Sequence, residues 1–569
     1  MPTSTAIKPS TKQKNFYIDI KWVIIIAVVV FMVIFQLIPM INLIVQAFRG
    51  ETGFTLDNIK SVYTYSGNWK ALSNTLTSAS LSMVFGVTLA FPLAWLVGRT
   101  NLYGKKFFRT LFVMTYMVPP YVGAIAWTRL LNPRVGDINV LLQNLFGLAE
   151  APFNIYSMGG LVWVLTTFYY PYAFITISRA MEKMDPSLEE ASKISGASPV
   201  KTLFTVTMPL MFPSIVAAAL LVFVAAASCY GIPSIVGAAA KIDSVTTRII
   251  DYVSIGSTEG INSATALAVV LMLIANIVLY ISTFVVGKKQ YITVSGKSVR
   301  PNIVDLGRWR IPITLLVCMF AFVVIVIPFG TIALTSIAET LSRPLGFGNI
   351  SFKTWETVLG GKAYFRAFKN SIITASVAAT VGIVISCMMA YLLVRTNVKG
   401  KSIPDFLITV GSGTPSVVIA LALVRSMNGQ FGINIYNTLQ IIIVAFIIKY
   451  LMMGMRTVVA ALTQIHPSLE EASLASGANW LKSFKDVTLP LIAPSVVAGW
   501  FLIFMPCFYE LSMSTMLYAS KTKTLGYLLY EMQTYHNPQA AAVMATFILI
   551  VVIICNTILN KLTHGEFSI

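Results

Sequence analysis

Two pairs of adjacent glutamates, set in one repeated spacing, are the groups in this chain best suited to chemistry. Glu189-Glu190 is followed by Ala191-Ser192, three residues, Gly196, nine residues and Val206-Thr207-Met208-Pro209. Glu470-Glu471 is followed by Ala472-Ser473, three residues, Gly477, nine residues and Val487-Thr488-Leu489-Pro490. Neighbouring acids on a short helix can form charge-assisted hydrogen bonds with basic side chains of a partner. Nothing around them suggests catalysis. The histidines, His466, His536 and His564, are too scattered to build a metal site. The five cysteines (Cys229, Cys318, Cys387, Cys507, Cys555) have neither zinc nor redox spacing. Gly296-Lys297-Ser298 and Gly400-Lys401-Ser402 match the end of a phosphate-binding loop, but Tyr291 and Arg395 stand where its first glycine belongs. The expectation is no catalytic residue, no metal ligand and no cofactor held by this chain. One acid stands apart: Glu510, after Phe508-Tyr509 near the end of an apolar run. A carboxylate at membrane depth is a functional candidate. Tyr509 and Glu510 fit a translocation pathway or gate, and fit packing at the outer interface equally well.

The segments that must position these groups are apolar. The 569 residues are 56% hydrophobic and 11% charged, with mean hydropathy +0.77. A soluble protein carries about 25% charged residues. Backbone groups in a bilayer must satisfy one another, so runs of about 20 apolar residues read as membrane helices. About twelve are expected, near 22–48, 75–98, 108–130, 158–181, 211–237, 264–287, 311–336, 371–394, 405–426, 438–460, 491–516 and 540–563. The first is too long for a signal peptide and lacks a small-residue cleavage site, so it is expected as a retained helix. Ionisable residues deep within the spans are almost absent beyond Glu510.

The net charge of +19 gathers between the spans. Lys8, Lys12, Lys14 and Lys21 precede the first; Arg99, Lys105, Lys106 and Arg109 lie between the second and third; Lys288, Lys289, Lys297, Arg300, Arg308 and Arg310 face a lone Asp305 in the centre. Positive loops stay in the cytoplasm, so this charge sets topology and does not indicate nucleic-acid binding. Twelve spans then place both termini inside. The expected organisation is a cytoplasmic tail at 1–21, a half with about six spans at 22–287, a basic cytoplasmic linker at 288–310 and a second half at 311–569.

The halves are copies. Between 186–217 and 467–498, 19 of 32 positions are identical. Asn74 matches Asn370, Arg99-Thr100-Asn101 matches Arg395-Thr396-Asn397, and Pro119 matches Pro415, at an offset of 296 rather than 281. The first half therefore holds about fifteen extra residues near 131–157. Transport sites commonly lie at the interface of such repeats. Within each loop, Pro186 and Pro467 suit a first helical turn, the glutamates suit the positive end of the helix dipole, and Gly196 and Gly477 suit a left-handed stop. A second short helix is expected up to Pro209 or Pro490, with Pro209, Pro213, Pro490 and Pro494 marking the return into the bilayer. A solvated acidic connector is the plainer reading of one such loop. Two copies with the downstream proline at matched spacing argue against it.

These loops resemble the EAA loop of ABC-importer membrane subunits, with Glu-Ala-Ser in place of the usual Glu-Ala-Ala. The whole chain is similar to fused binding-protein-dependent permeases of the ferric-iron importer type. Tyr230–Gly237 with Val245–Arg248, Tyr291–Lys297 and Glu510–Tyr518 point the same way. The resemblance implies an all-α polytopic membrane protein with a type I ABC importer permease fold in two parallel-repeat halves. It implies a bacterial inner-membrane location and two copies of a cytoplasmic ATPase that bind ATP and Mg. It also implies an extracytoplasmic substrate-binding protein. Glu189, Glu190, Ala191 and Gly196, with Glu470, Glu471, Ala472 and Gly477, would carry the ATPase coupling. Fused permeases for 2-aminoethylphosphonate, thiamine or polyamines look similar, so these substrates stay open beside ferric iron. A secondary transporter driven by an ion gradient is a different class; it would need ionisable residues within the spans and no coupling loops. A membrane enzyme would need clustered acids, bases or nucleophiles.

Overall fold

In the computed structural model of the chain, residues 20–49, 53–288, 303–341, 343, 348–535 and 537–562 are described. The expected tail before Ile20, most of the basic linker and the Tyr291–Lys297 stretch lie outside them. The first half contains α1 (Trp22–Ala47), α2 (Ser66–Arg99), α3 (Lys105–Tyr116), α4 (Pro120–Leu131), α5 (Met158–Glu182), α6 (Ser187–Ile194), α7 (Pro199–Ala227) and α8 (Thr258–Ser282). The second contains α9 (Gly307–Ser336), α10 (Lys362–Arg395), α11 (Ser402–Gly413), α12 (Ser416–Ser426), α13 (Leu439–Gln464), α14 (Ser468–Ala475), α15 (Trp480–Phe508) and α16 (Pro538–Leu559).

Ten of these helices are long and apolar enough to cross a membrane, and the count reaches 12 if each of two bent pairs is one span. The bent pairs stand where the third and ninth spans were expected. α3 and α4 meet at 99°, and α11 and α12 at 109°. Pro119 and Pro415 open the second helix of each pair, with ψ of 126° and 140°. A proline disfavours the helical conformation in the residue before it, and Thr414 is accordingly extended at ψ 134°.

The other prolines behave differently. Pro209 and Pro490 do not end a short helix, as expected from the sequence; α7 and α15 run through them unbroken. A π turn lies directly before each, at Leu203–Thr207 and Phe484–Thr488. Met208 N–H and Leu489 N–H bond back to Leu203 and Phe484, five residues away. The widened turn gives the proline ring room where it would otherwise strike the carbonyl four residues back. The same device precedes Pro39 in α1 and Pro328 in α9.

Each half gives its first helix to the other. Ile25, Val28 and Met32 of α1 share a core with Met389, Leu392 and Leu407. Gln36 Nε2 donates to Leu407 O at 2.7 Å, and Asn42 Nδ2 to Ser426 Oγ at 3.0 Å. Reciprocally, the Phe320 ring of α9 lies 5.9 Å from Phe112 and 5.7 Å from Tyr170. The described end of the linker follows the same path, where Val304 pairs with Thr100. Inside the second half, α13 and α15 touch at Gly454 and Gly499. A Cβ on Gly499 would lie 3.4 Å from Gly454 Cα and 2.7 Å from the Ile383 side chain. Lipid tails give no hydrophobic drive between helices, so close backbone approach at small residues supplies much of the packing.

Candidate functional site: paired loops and a central cavity

The two loop helices, α6 and α14, are built alike. Pro186 and Pro467 cap them, and both glutamates of each pair fall in the first turn. Gly196 and Gly477 follow at φ +80° and +90°. A side chain there would be strained by about 1–2 kcal/mol per residue. Gly477→Val should therefore loosen the α14–α15 turn and speed its cleavage in limited proteolysis, with the membrane helices unaffected.

The structure separates the glutamates that the sequence assigned jointly to a partner. Glu189 and Glu470 are 6% and 8% exposed and are used inside the protein. Glu470 accepts from Arg395 Nε at 3.1 Å, Tyr391 Oη at 3.1 Å and Thr488 Oγ1 at 3.0 Å. Glu189 accepts from Thr207 Oγ1 at 2.8 Å and lies 3.8 Å from Arg99 Nη1. The arginines then reach past the acids to the ends of the preceding spans. Arg99 donates to Met181 O at 2.7 Å, and Arg395 to Ile465 O at 2.7 Å. Each loop helix is thereby pinned to the ends of three membrane helices. This explains the repeated arginine and threonine. Their matching offsets were visible in the sequence, but their pairing with the first glutamate was not.

The second glutamates, Glu190 and Glu471, are exposed, as are Ala191 and Ala472. Beside them Leu188 and Leu469 are exposed, and so are Val200 and Leu481 at the start of the following helix. Both loops thus expose acids and large apolar side chains together.

Between the halves lies a cavity of about 590 Å³. Its walls come from α5 and α7, their counterparts α13 and α15, and the two bends at Met117–Pro120 and Ser412–Ser416. Tyr509 and Glu510 line it. Glu510 is buried, and its carboxylate accepts N–H bonds from Met513 at 2.8 and 3.0 Å and from Ser514 at 3.0 Å, capping the short helix Ser512–Leu517. Tyr509 O accepts from Tyr121 Oη at 3.0 Å. The expectation that Glu510 is nearly alone among charges within the spans is corrected by Lys449. It sits in the middle of α13, lines the cavity and donates to Ser412 O at 2.9 Å and Thr414 O at 2.8 Å, holding the bend between α11 and α12. The signal was a lysine at the centre of the apolar run 438–460, which also holds Arg456. Among the described residues no three His, Cys, Asp or Glu gather to hold a metal ion.

Comparison with known proteins gives the following. The family described as binding-protein-dependent transport system inner membrane component matches residues 90–290 and 382–564. The ferric transport system permease protein FbpB of Actinobacillus pleuropneumoniae is 24% identical over 482 residues, covering 84% of this chain and 68% of the relative. A putative ferric transport system permease protein FbpB 1 of Haemophilus influenzae is 25% identical over 509 residues, covering 88% and 78%. Among solved structures, a bacterial ABC transporter involved in import of alginate matches with a TM-score of 0.40 and 20% identity, over 48% of this chain and 96% of that one.

Proposed function

The chain belongs to the family of binding-protein-dependent transport inner membrane components, and from that premise we propose that it is the fused permease of an ATP-driven importer of ferric iron. It is a multi-pass membrane protein with the all-α, type I importer permease fold. Its duplicated architecture supports one ATPase copy on each loop, with ATP and Mg bound there. Glu190 and Glu471, exposed on helices pinned by Glu189 and Glu470, carry this reading. ATP-driven closure of the ATPase pair would push α6 and α14, and the arginine anchors would pass that motion to the ends of α2 and α10. The cavity between the halves would open alternately to either side of the inner membrane. A binding protein on the outer face would supply the cargo. Iron as that cargo is supported by the ferric transport names of the relatives that align along most of the chain. The test is uptake of radioactive ferric iron by vesicles holding the permease, its ATPase and its binding protein. ATP-dependent accumulation is expected; none with iron, but uptake of another solute carried by the binding protein, would replace the substrate.

Topology offers a separate check. Both termini and residues 288–310 are proposed to be cytoplasmic. In a chain without other cysteines, Lys60→Cys should react with an impermeant thiol reagent added to intact cells, and Arg300→Cys should not. The reverse pattern would overturn the orientation.

A further inference from the structure

Four charged side chains line the central cavity: Arg179, Lys449, Arg456 and Glu510. Their partners leave the charge unbalanced. Glu510 accepts only from neutral backbone N–H groups, so it keeps its negative charge and offsets part of that of Lys449. Arg456 is paired with Asp405 at 2.9 Å. Lys449 has two hydrogen bonds, both to neutral carbonyls, so its charge meets no hydrogen-bonded carboxylate. Arg179 forms no ion pair among the described residues. A passing solute therefore meets two cations, Lys449 midway along α13 and Arg179 nearer the end of α5, against the one carboxylate of Glu510, a balance of one positive charge.

The repeat shows that Lys449 and Glu510 have no charged counterpart in the first half. α5 and α13 are offset by 281 residues (158 to 439), so Lys449 stands where the first half has Phe168. The same offset places Glu510 opposite Cys229. The first half thus supplies a ring and a thiol where the second supplies an ammonium and a carboxylate, and all four line the same cavity. An ammonium within the membrane is costly and is retained where it faces a cavity or partner. Aromatic faces attract cations, and three of the lining rings are engaged with one another edge-on or tilted. The rings of Tyr116 and Tyr172 lie 4.7 Å apart, and those of Tyr169 and Tyr172 5.6 Å apart. Tyrosine hydroxyls can instead donate to oxygen.

We infer that the cavity takes an anionic, oxygen-rich solute and disfavours a bare cation. A phosphonate or a ferric ion already wrapped in carboxylates has this chemistry; spermidine, thiamine and the naked ferric ion do not. The inference names the cargo class of the importer proposed above and rests on that reading.

The test measures the cavity's charge preference without needing the natural cargo. Met453→Cys, one turn beyond Lys449 on the cavity wall, is placed in a chain whose five native cysteines are replaced. The purified permease–ATPase complex is labelled with anionic 2-sulfonatoethyl or cationic 2-(trimethylammonio)ethyl methanethiosulfonate, with exposed Asn144→Cys as control. The anionic-to-cationic rate ratio at Met453→Cys should exceed the control's by about tenfold, the lower end of electrostatic focusing in a cleft. Lys449→Gln should abolish most of the excess, and Lys449→Arg should keep it. A ratio no higher than the control's, or one unchanged by Lys449→Gln, overturns the inference; the first outcome needs no Lys449 variant to fold. Uptake of ferric citrate and of 2-aminoethylphosphonate by the complete transporter then separates the two anionic sources. ATP-dependent uptake of spermidine would overturn the anionic preference while leaving the importer intact. Uptake that continued without ATP would strike the importer reading and leave the labelling result untouched.

Discussion

Glu470→Ala should destabilise the protein more than any other single loop substitution. Glu470 and Arg395 form a buried pair at 3.1 Å, with side chains 11% and 8% exposed. Removing one member of such a pair leaves the other charge buried and uncompensated, at a cost of about 3–5 kcal/mol. Tyr391 and Thr488 would lose their acceptor in the same stroke. Glu189→Ala should cost less, because Arg99 stands 3.8 Å from Glu189 and already donates to Met181 O and Met184 O. Glu471→Ala should have little effect on folding, since an exposed carboxylate contributes about 0–1 kcal/mol. Thermal unfolding of the three purified variants gives the order directly. Equal losses from Glu470→Ala and Glu471→Ala would mean that the buried anchor does not exist.

Function should follow the opposite order. The double variant Glu190→Ala/Glu471→Ala should fold and insert normally and yet lose transport, because both exposed acids of the proposed ATPase seats are gone. Removing one partner of a charged hydrogen bond at an interface costs about 2–5 kcal/mol when it is buried. Each loop would lose one such contact, enough to weaken docking by more than an order of magnitude. The two single variants need not be equal, since Lys193 and Ile194 beside one acid are replaced by Leu474 and Ala475 beside the other. Uptake in reconstituted vesicles at matched permease levels is the readout. Normal uptake by the double variant would return both loops to the status of solvated connectors.

Much of the fold was legible because membrane helices announce themselves by composition and the halves by repetition. The left-handed turns at Gly196 and Gly477 also followed from residue type. What the sequence obscured came from prolines and from tertiary pairing. Pro119 and Pro209 look alike in sequence; one sits at a sharp bend and the other behind a π turn, depending on how the preceding turn is packed. The exchange of α1 and α9 between halves leaves no local trace, because either bundle would bury an apolar helix equally well. The division of labour in each glutamate pair was hidden for a related reason. Adjacent residues on a helix point about 100° apart, so only the position of α2 or α10 decides which acid meets an arginine. Lys449 was present in the sequence but was outweighed by the apolar run around it.

The central claim is that one chain seats two ATPase subunits, one on each loop. Native mass measurement of the purified complex tests it most directly. The wild-type permease should carry two ATPase copies, and Glu190→Ala/Glu471→Ala should carry none under the same conditions while unfolding at the wild-type temperature. A wild-type permease that binds no ATPase, or a folded double variant that keeps both copies, would contradict the account.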